Sequence, residues 1–435
     1  MTSTLINKKF DAINPKVSEL HESDTLAINE LSKKLQSEGR SIYRFGLGQS
    51  PFPVPEIVVE ALKLHASEKD YLPVQGLMAL REAVADFHRR HDAIDAQPKN
   101  ILIGPGSKEL VFLLQLVFDG EIIIVSPCWV SYIPQAKILG KKISVIHSSF
   151  DERWQLTPRL FKEYTKNRNE NSEPALMILN YPGNPDGVTL SPEHLKEIGE
   201  LARRANVYIL SDEIYGLTHH KGEHISIARY YPEGTIVSSG LSKWCGAGGW
   251  RLGTFTFPEN LASLLKKMAV VASETYTSVS APIQFAAIKA FKGSLEIEEY
   301  LCHTRRILAH LGNECFQLLI QAGVKLHKPE GGFYIFVDFS NFSEKIKNRG
   351  IKNSSQLCNI LLEETGVAIL PGSSFNRTPE EFTARLAYVD FDGAKALAAS
   401  KVIPLHEALP ESFNEIHCFK TVEGIRRICQ WLNSL

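Results

Sequence analysis

The sequence is short of the features that mark exported, membrane-spanning or nucleic-acid-coating proteins. Its seven cysteines (Cys128, Cys245, Cys302, Cys315, Cys358, Cys418, Cys429) are an odd, scattered set with no C-x-x-C pair, so no disulfide framework is encoded. Lys and Arg total 48 against 49 Asp and Glu, a net charge of −1, which leaves no field of one sign to attract nucleic acid or an anionic membrane. No apolar run approaches the roughly 18 residues of a membrane span, and the opening MTSTLINKKFDAINPKVSEL has no apolar signal core, so a cytoplasmic protein is expected. Internal repeats and low-complexity tracts are also missing.

What the chain does have is bulk: 435 residues, 44% hydrophobic and 22% charged, enough for two large domains or about three ordinary ones. Short apolar runs of strand length recur at Ile101–Ile103, Ile122–Val125, Ala175–Leu179, Val207–Leu210, Thr235–Val237 and Thr254–Phe257. Segments of helical period lie between them, such as Leu77, Leu80, Val84 and Phe87, or Leu195, Ile198 and Leu201. Strands alternating with helices predict an α/β fold with a mostly parallel sheet covered by helices on both faces. Beyond about residue 300 the pattern changes to longer helices, a segment GGFYIFVDF that alternates as a half-buried strand, and then RLAYVDF. We therefore expect a large domain over 52–298 and a smaller α+β domain built from 1–51 and 299–435.

In parallel sheets ligands bind beyond the carboxyl ends of the strands. Five apolar runs here end in GPGSKEL, SPCWVSY, NYPGNPDG, SDEIYG and SSGLSKWCGAGGWRLG. Lys243 sits among Ser238, Ser239 and Ser242 in a Gly- and Ser-rich loop, where a desolvated lysine can act as a nucleophile. Asp212 closes a strand and can hold a protonated ring nitrogen, while Tyr215 and Asn184 can donate to a phenolate oxygen. Gly106, Ser107 and Lys108 open a helix, and its unpaired N–H groups make an anion site. Trp129 can lie flat on a planar ring. Together these are the needs of pyridoxal 5′-phosphate. His219, His220 and His224 in THHKGEH have no companion ligands at zinc-like spacing, so the segment reads as a polar loop and no metal is expected.

These motifs, GLSKWCGAGGWRLG above all, resemble those of fold-type-I, class I pyridoxal-phosphate aminotransferases, and particularly the bacterial aspartate aminotransferase branch, over about residues 20 to 390. The resemblance implies Lys243 as the Schiff-base lysine and proton shuttle, Asp212 as partner of the pyridinium nitrogen, and a phosphate site from Gly106, Ser107, Lys108, Ser242 and Arg251. It further implies Arg385 gripping the substrate α-carboxylate, Gly48 approaching that carboxylate through its backbone, Trp129 and Asn184 touching substrate as well as cofactor, and Tyr71 reaching the phosphate site of a neighbouring subunit in a homodimer. Amino acids and 2-oxo acids are then the partners, with aspartate-like or aromatic donors. Lys108 and the segment around Ser23 and Thr25 would favour dicarboxylates. A carbon–sulfur β-lyase on the same fold is the alternative. Three departures stand out: Gly240 where the family often has a serine or threonine phosphate ligand, so that either Ser238 or Ser239 substitutes or the phosphate loses one donor; PGNPDG where PNNPTG is usual; and a long stretch from Lys395 to Phe419.

Overall fold

The computed structural model describes residues 13–18 and 24–435. Twelve strands are numbered in chain order: β1 (Tyr43–Arg44), β2 (Ile101–Gly104), β3 (Glu121–Ser126), β4 (Ile143–His147), β5 (Ala175–Asn180), β6 (Val207–Asp212), β7 (Thr235–Gly240), β8 (Gly253–Thr256), β9 (Tyr334–Asp338), β10 (Val367–Ala368), β11 (Leu370–Pro371) and β12 (Thr383–Ala387). Seven of them form the main sheet in the order β2-β8-β7-β6-β5-β3-β4. The ladders among β3, β4, β5, β6 and β7 are parallel, and β8 runs antiparallel to both its neighbours.

Because successive strand side chains point to opposite faces, each apolar run feeds two cores at once. Ile122, Ile124, Leu176, Ile178, Leu210 and Ile236 pack with Leu110, Val111, Leu113 and Leu114 of helix Ser107–Val117 and with Leu265 and Met268 of helix Ala262–Ser273. Ile123, Met177, Leu179, Val207 and Ile209 face the other way, onto Leu195, Ile198 and Ala202 of helix Pro192–Arg204. That double coverage makes the runs continuously apolar, as the sequence predicts for a mostly parallel α/β sheet. The edge strand β4 carries no such signal: three of its five residues are only half-buried and the last is exposed, so the Ile143–His147 stretch does not read as a strand.

The second part of the chain holds an antiparallel sheet in the order β11-β12-β9 and a two-stranded parallel ladder in which Tyr43 and Arg44 pair with Val367 and Ala368. The GGFYIFVDF segment departs from expectation. All five residues of β9 are buried: Tyr334 lines the cleft, Phe336 packs on Trp154 and Phe375, and Ile335 and Val337 lie in the apolar core. The long C-terminal stretch is packed rather than looped out. It forms helices Gly393–Lys401 and Phe413–His417, with Leu409, Phe413 and Cys418 buried.

Arg306, on the 27-residue helix Leu295–Gln321, ties this stretch down. Its guanidinium donates to Ser400 Oγ at 2.8 Å, to Ile403 O at 2.7 Å, to Pro404 O at 3.0 Å and also to Ser400 O. Ser400 lies in the last turn of helix Gly393–Lys401 and Ile403 and Pro404 follow it, so one guanidinium gathers the carbonyls at and just beyond the helix end. Replacing Arg306 by Ala is expected to cost about 2–3 kcal/mol of stability, read as a lower midpoint in urea with turnover per folded molecule unchanged; an unaltered midpoint would show that the stretch is held by apolar packing alone.

Candidate active site

The ladder registers set Asn180 opposite Asp212 and Asp212 opposite Ser238. Three polar residues therefore form one row across three neighbouring strands at the carboxyl edge of the sheet. They adjoin a cleft of about 630 Å³ whose lining includes Gly48, Ser107, Lys108, Trp129, Asn180, Asn184, Asp212, Tyr215, Ser242, Lys243 and Arg251. A contiguous space of about 540 Å³ adds Tyr334 and Arg385. Tyr71, expected to reach a phosphate site, lies apart from this cleft and is 92% exposed. Ser23 lies outside the described residues, and nothing is described of the Thr25 side chain.

Asp212 is 3% exposed. Burial pushes its carboxyl up from the usual range, and hydrogen bonds from Tyr132 and Ser238 oppose that push. The Tyr132 hydroxyl donates to Oδ2 at 2.6 Å, Ser238 Oγ to Oδ1 at 3.2 Å, and Asn180 Nδ2 to the backbone carbonyl at 2.7 Å. Among the described residues no cation pairs with it. Two hydroxyls cannot repay the desolvation of a carboxylate, so the site suits a cationic ring nitrogen. At the other end Lys108, Arg251 and Lys243 stand together. Lys108 is held below the usual lysine range by burial, then by the charges of Arg251 and Lys243. An anion would relieve this crowding, and the N-terminus of helix Ser107–Val117 offers its free N–H groups there. Gly106 begins that helix at φ +87°, and a Cβ on it would come within 2.2 Å of Arg251 Nη2. The donor set thus fits pyridoxal phosphate at both ends of the molecule.

Lys243 Nζ donates to Gly48 O at 2.7 Å and stands 5.5 Å from the Tyr215 ring centre. Gly48 must be glycine: a Cβ there would lie 2.0 Å from the Tyr334 hydroxyl. Tyr215 and Tyr334 share a hydrogen bond of 2.8 Å. Arg385 is 4% exposed; it donates from Nη1 to Asn184 Oδ1 at 3.0 Å and from Nη2 to Gly46 O at 2.6 Å, while Nε has no partner. Its guanidinium lies over the rings of Tyr334 and Phe375 at 4.7 and 4.9 Å. No carboxylate among the described residues pairs with it. Since Arg385 occupies Asn184 Oδ1, the Asn184 amide nitrogen is the atom left to donate into the cleft.

Sequence reasoning missed Tyr132, Asn180 and Tyr334. The first two stood in the strand-end motifs SPCWVSY and NYPGNPDG, but nothing in the spacing says that they converge on Asp212. Tyr334 reads as core from its alternating strand, and it is buried, yet its hydroxyl reaches the cleft. The serine substitutes for Gly240 are also corrected. Ser238 is committed to Asp212, and Ser239 lines a separate cavity on the far side of β7, which leaves Ser242 beside the anion end. Gly240 itself has no room for a serine, because a Cβ would meet Leu252 O at 2.7 Å.

The model for the family described as aminotransferase class I and II matches residues 40–393. The chain belongs to that family. It is a pyridoxal-phosphate-dependent transaminase, with the fold-type-I architecture. It is 33% identical to an aspartate aminotransferase of Bacillus subtilis, over 86% of this chain and 93% of that one. Among solved structures it is similar to aspartate aminotransferase from Thermus thermophilus with maleate, at 26% identity and a TM-score of 0.78, covering 89% of this chain and 97% of that one. An aromatic aminotransferase from Pyrococcus horikoshii matches at 26% identity and a TM-score of 0.75, over 92% and 98%. Nothing among these relatives supports the carbon–sulfur lyase alternative. No helix among the described residues is long and apolar enough to cross a membrane.

The PGNPDG departure in this transaminase is a matched pair. A Cβ on Gly183 would lie 2.3 Å from both carboxyl oxygens of Asp186, so the acid fills the space that a side chain at 183 would take. Asp186 Oδ1 accepts from Gln155 Nε2 at 2.8 Å and Val188 N at 2.9 Å. Burial nonetheless pushes its carboxyl from 3.8 up to about 7. A folded-state pKa above the unfolded value means that the stabilising contribution is complete below about pH 4 and is lost as pH rises through 7. Asp186→Asn should therefore gain melting temperature relative to the natural protein at pH 8 but not at pH 4–5; a difference that does not change with pH would show that Asp186 stays ionised.

Proposed function

We propose that this transaminase takes aspartate-like dicarboxylic L-amino acids as donors and a 2-oxo acid such as 2-oxoglutarate as acceptor, by ping-pong turnover at the Lys243 cleft. The observation that carries the reading is the buried Arg385 guanidinium, left without a counter-ion beside the Lys243 amine. A planar fork of donors suits a carboxylate bidentately, and a buried one costs stability unless an anion completes it. Lys108, with its amine over the Trp129 ring at 5.0 Å, is a second cation that a distal carboxylate could meet. A relative solved with maleate, itself a dicarboxylate, supports the same choice.

When bound, pyridoxal phosphate supplies an aldehyde for the Lys243 amine and a ring that draws electrons from the substrate α-carbon. Lys243 Nζ, steadied by Gly48 O, is the base that takes the α-proton and returns it. Asp212 keeps a proton on the ring nitrogen, and Tyr132 and Ser238 keep Asp212 in place. Asn184 and Tyr215 would donate to the ring oxygen, with Tyr334 fixing the hydroxyl of Tyr215. Ser107, Ser242, Arg251 and the amides after Gly106 hold the phosphate, with Lys108 at the same end. Trp129 forms a flat wall, and Arg385 orients the substrate so that its α-hydrogen faces Nζ. The lining joins Leu47, Gly48, Tyr334 and Arg385 to residues within 52–298, which supports a division into a large domain over 52–298 and a smaller one built from the flanking chain. The exposure of Tyr71 supports a homodimer in which it serves the neighbouring site, and the reduced, scattered cysteines support a cytoplasmic location.

The first test is the absorbance of the purified holoprotein with single L-amino acids. Aspartate and glutamate should convert the yellow cofactor to its aminated form, and 2-oxoglutarate should restore it. Phenylalanine or tyrosine reacting in preference would move the reading to aromatic donors. In Lys108→Ala the kcat/KM for aspartate should fall about tenfold relative to that for phenylalanine, the value of one ion-paired contact; equal losses for both donors would assign Lys108 to the phosphate alone. Arg385→Lys should raise KM for every donor about tenfold or more, because a point charge cannot reproduce two parallel hydrogen bonds; an unchanged KM would remove Arg385 from the carboxylate site.

A further inference from the structure

Behind the cleft, on the far side of β6 and β7, lies a second cavity of about 170 Å³. It is lined by the end of helix Met78–His91, by Glu213 and His224, by Ser239 of β7 and by Trp244. Ligand atoms of Asp92, Glu213 and His224 all lie within 4.8 Å of one another there. Asp92 comes from a part of the chain distant from Glu213 and His224, and each of the three is nearly removed from solvent. Asp92 and Glu213 are both 6% exposed, and the His224 side chain 8%.

Two carboxylates forced together in a buried place repel each other and require positive charge between them. Their outer atoms are already held. Glu213 Oε1 accepts from Ser211 Oγ at 2.7 Å and Ser226 Oγ at 2.5 Å, leaving Oε2 against His224 Nε2 at 2.9 Å. His88 Nδ1 fixes Asp92 Oδ2 at 2.7 Å. This is the arrangement of a ligand set with its supporting shell, in which hydrogen bonds orient the carboxylates. A separate observation points to a missing occupant. Three buried ring nitrogens that line the same cavity, His88 Nε2, His224 Nδ1 and Trp244 Nε1, have no hydrogen-bond partner, and His88 is only 1% exposed.

We propose that Asp92, Glu213 and His224 form a binding site for a divalent transition-metal ion of the Zn²⁺ class, with cavity water completing the coordination. One imidazole and two carboxylates suit such an ion better than they suit Mg²⁺ or Ca²⁺, which prefer oxygen alone. Bonds of about 2.0–2.2 Å ask ligand atoms to stand roughly 3.3 Å apart. The Glu213–His224 contact is already that close, and small rotations of Asp92 close the rest. On binding, the ion displaces whatever proton His224 Nε2 carries to solvent. The site revises the reading of THHKGEH as only a polar loop: the partners of His224 lie 132 and 11 residues away in sequence, at Asp92 and Glu213. Glu213 follows Asp212, so the ion would tie the backbone segment that carries the catalytic acid to Asp92 and His224 without entering the cleft.

The test uses the full-length holoenzyme, stripped with chelator, dialysed against Zn²⁺ and desalted, with metal measured by atomic emission. Natural protein should retain about one zinc per chain, and Asp92→Asn and Glu213→Gln about a tenth of that or less. Zinc should also raise the melting temperature of the natural protein by several degrees and leave both variants unmoved. Co²⁺ in place of Zn²⁺ should give visible ligand-field bands that His224→Gln abolishes, a readout available even if a carboxylate variant folds poorly. No retained zinc in the natural protein, or equal retention in the variants, overturns the proposal. The cluster would then be an imidazolium between two carboxylates beside a water-filled cavity.

Discussion

Two buried charges of opposite sign, Asp212 and Arg385, face one cleft, and neither has a counter-ion of its own among the described residues. Much of the site can be understood from that constraint. Each charge was taken out of water at a cost that the surrounding hydroxyls and carbonyls offset only in part. A cationic ring nitrogen would complete Asp212, and a carboxylate would complete Arg385. Ligand binding therefore recovers electrostatic energy that folding left unspent, and it does so at two points whose separation is fixed by the sheets.

The scaffold supplies rigidity where those charges sit. Asp212 ends a strand flanked on both sides in register by Asn180 and Ser238, so its position is set by two parallel ladders rather than by a loop. Arg385 lies in the middle of β12, paired with Phe336 of β9. Between them, backbone comes close enough to touch the reacting groups only because side chains are missing. Gly48 brings its carbonyl to Lys243 and leaves space for the Tyr334 hydroxyl, and Gly106 makes room for Arg251. The same steric logic accounts for two departures from the family pattern. Gly240 has a carbonyl in the place of a side chain, and Gly183 has the Asp186 carboxyl there.

The cations at the other end of the cleft follow the converse rule. Lys108 is held below the usual lysine range by burial and by the charges of Arg251 and Lys243, which primes that end for an anion. The cleft thus has a carboxyl end at Asp212 and a cationic end at Lys108, Arg251 and Lys243.

How much of this the sequence carried depends on the range of the interaction. Local patterns were sufficient where the physics is local: apolar runs for strands buried on both faces, helical period for the covering helices, glycine at a helix start, and polar strand ends for the cleft. The edge strand β4 was lost because half-exposed residues give no apolar run, and β9 was misjudged because both its faces are covered by elements far away in the chain. Tyr132, Asn180 and Tyr334 act through residues 32 to 119 positions distant, and no spacing rule links them. The same holds for Asp92, Glu213 and His224 in the second cavity. The sequence by itself determined the α/β class and the family, and its motifs mark Lys243, Asp212 and Arg385, which the structure brings to adjoining cavities. Only the tertiary structure decided which hydroxyls support Asp212, which serines are free to meet an anion, and which buried charges lack a partner, because desolvation and charge pairing are properties of neighbourhoods that the folded chain alone creates.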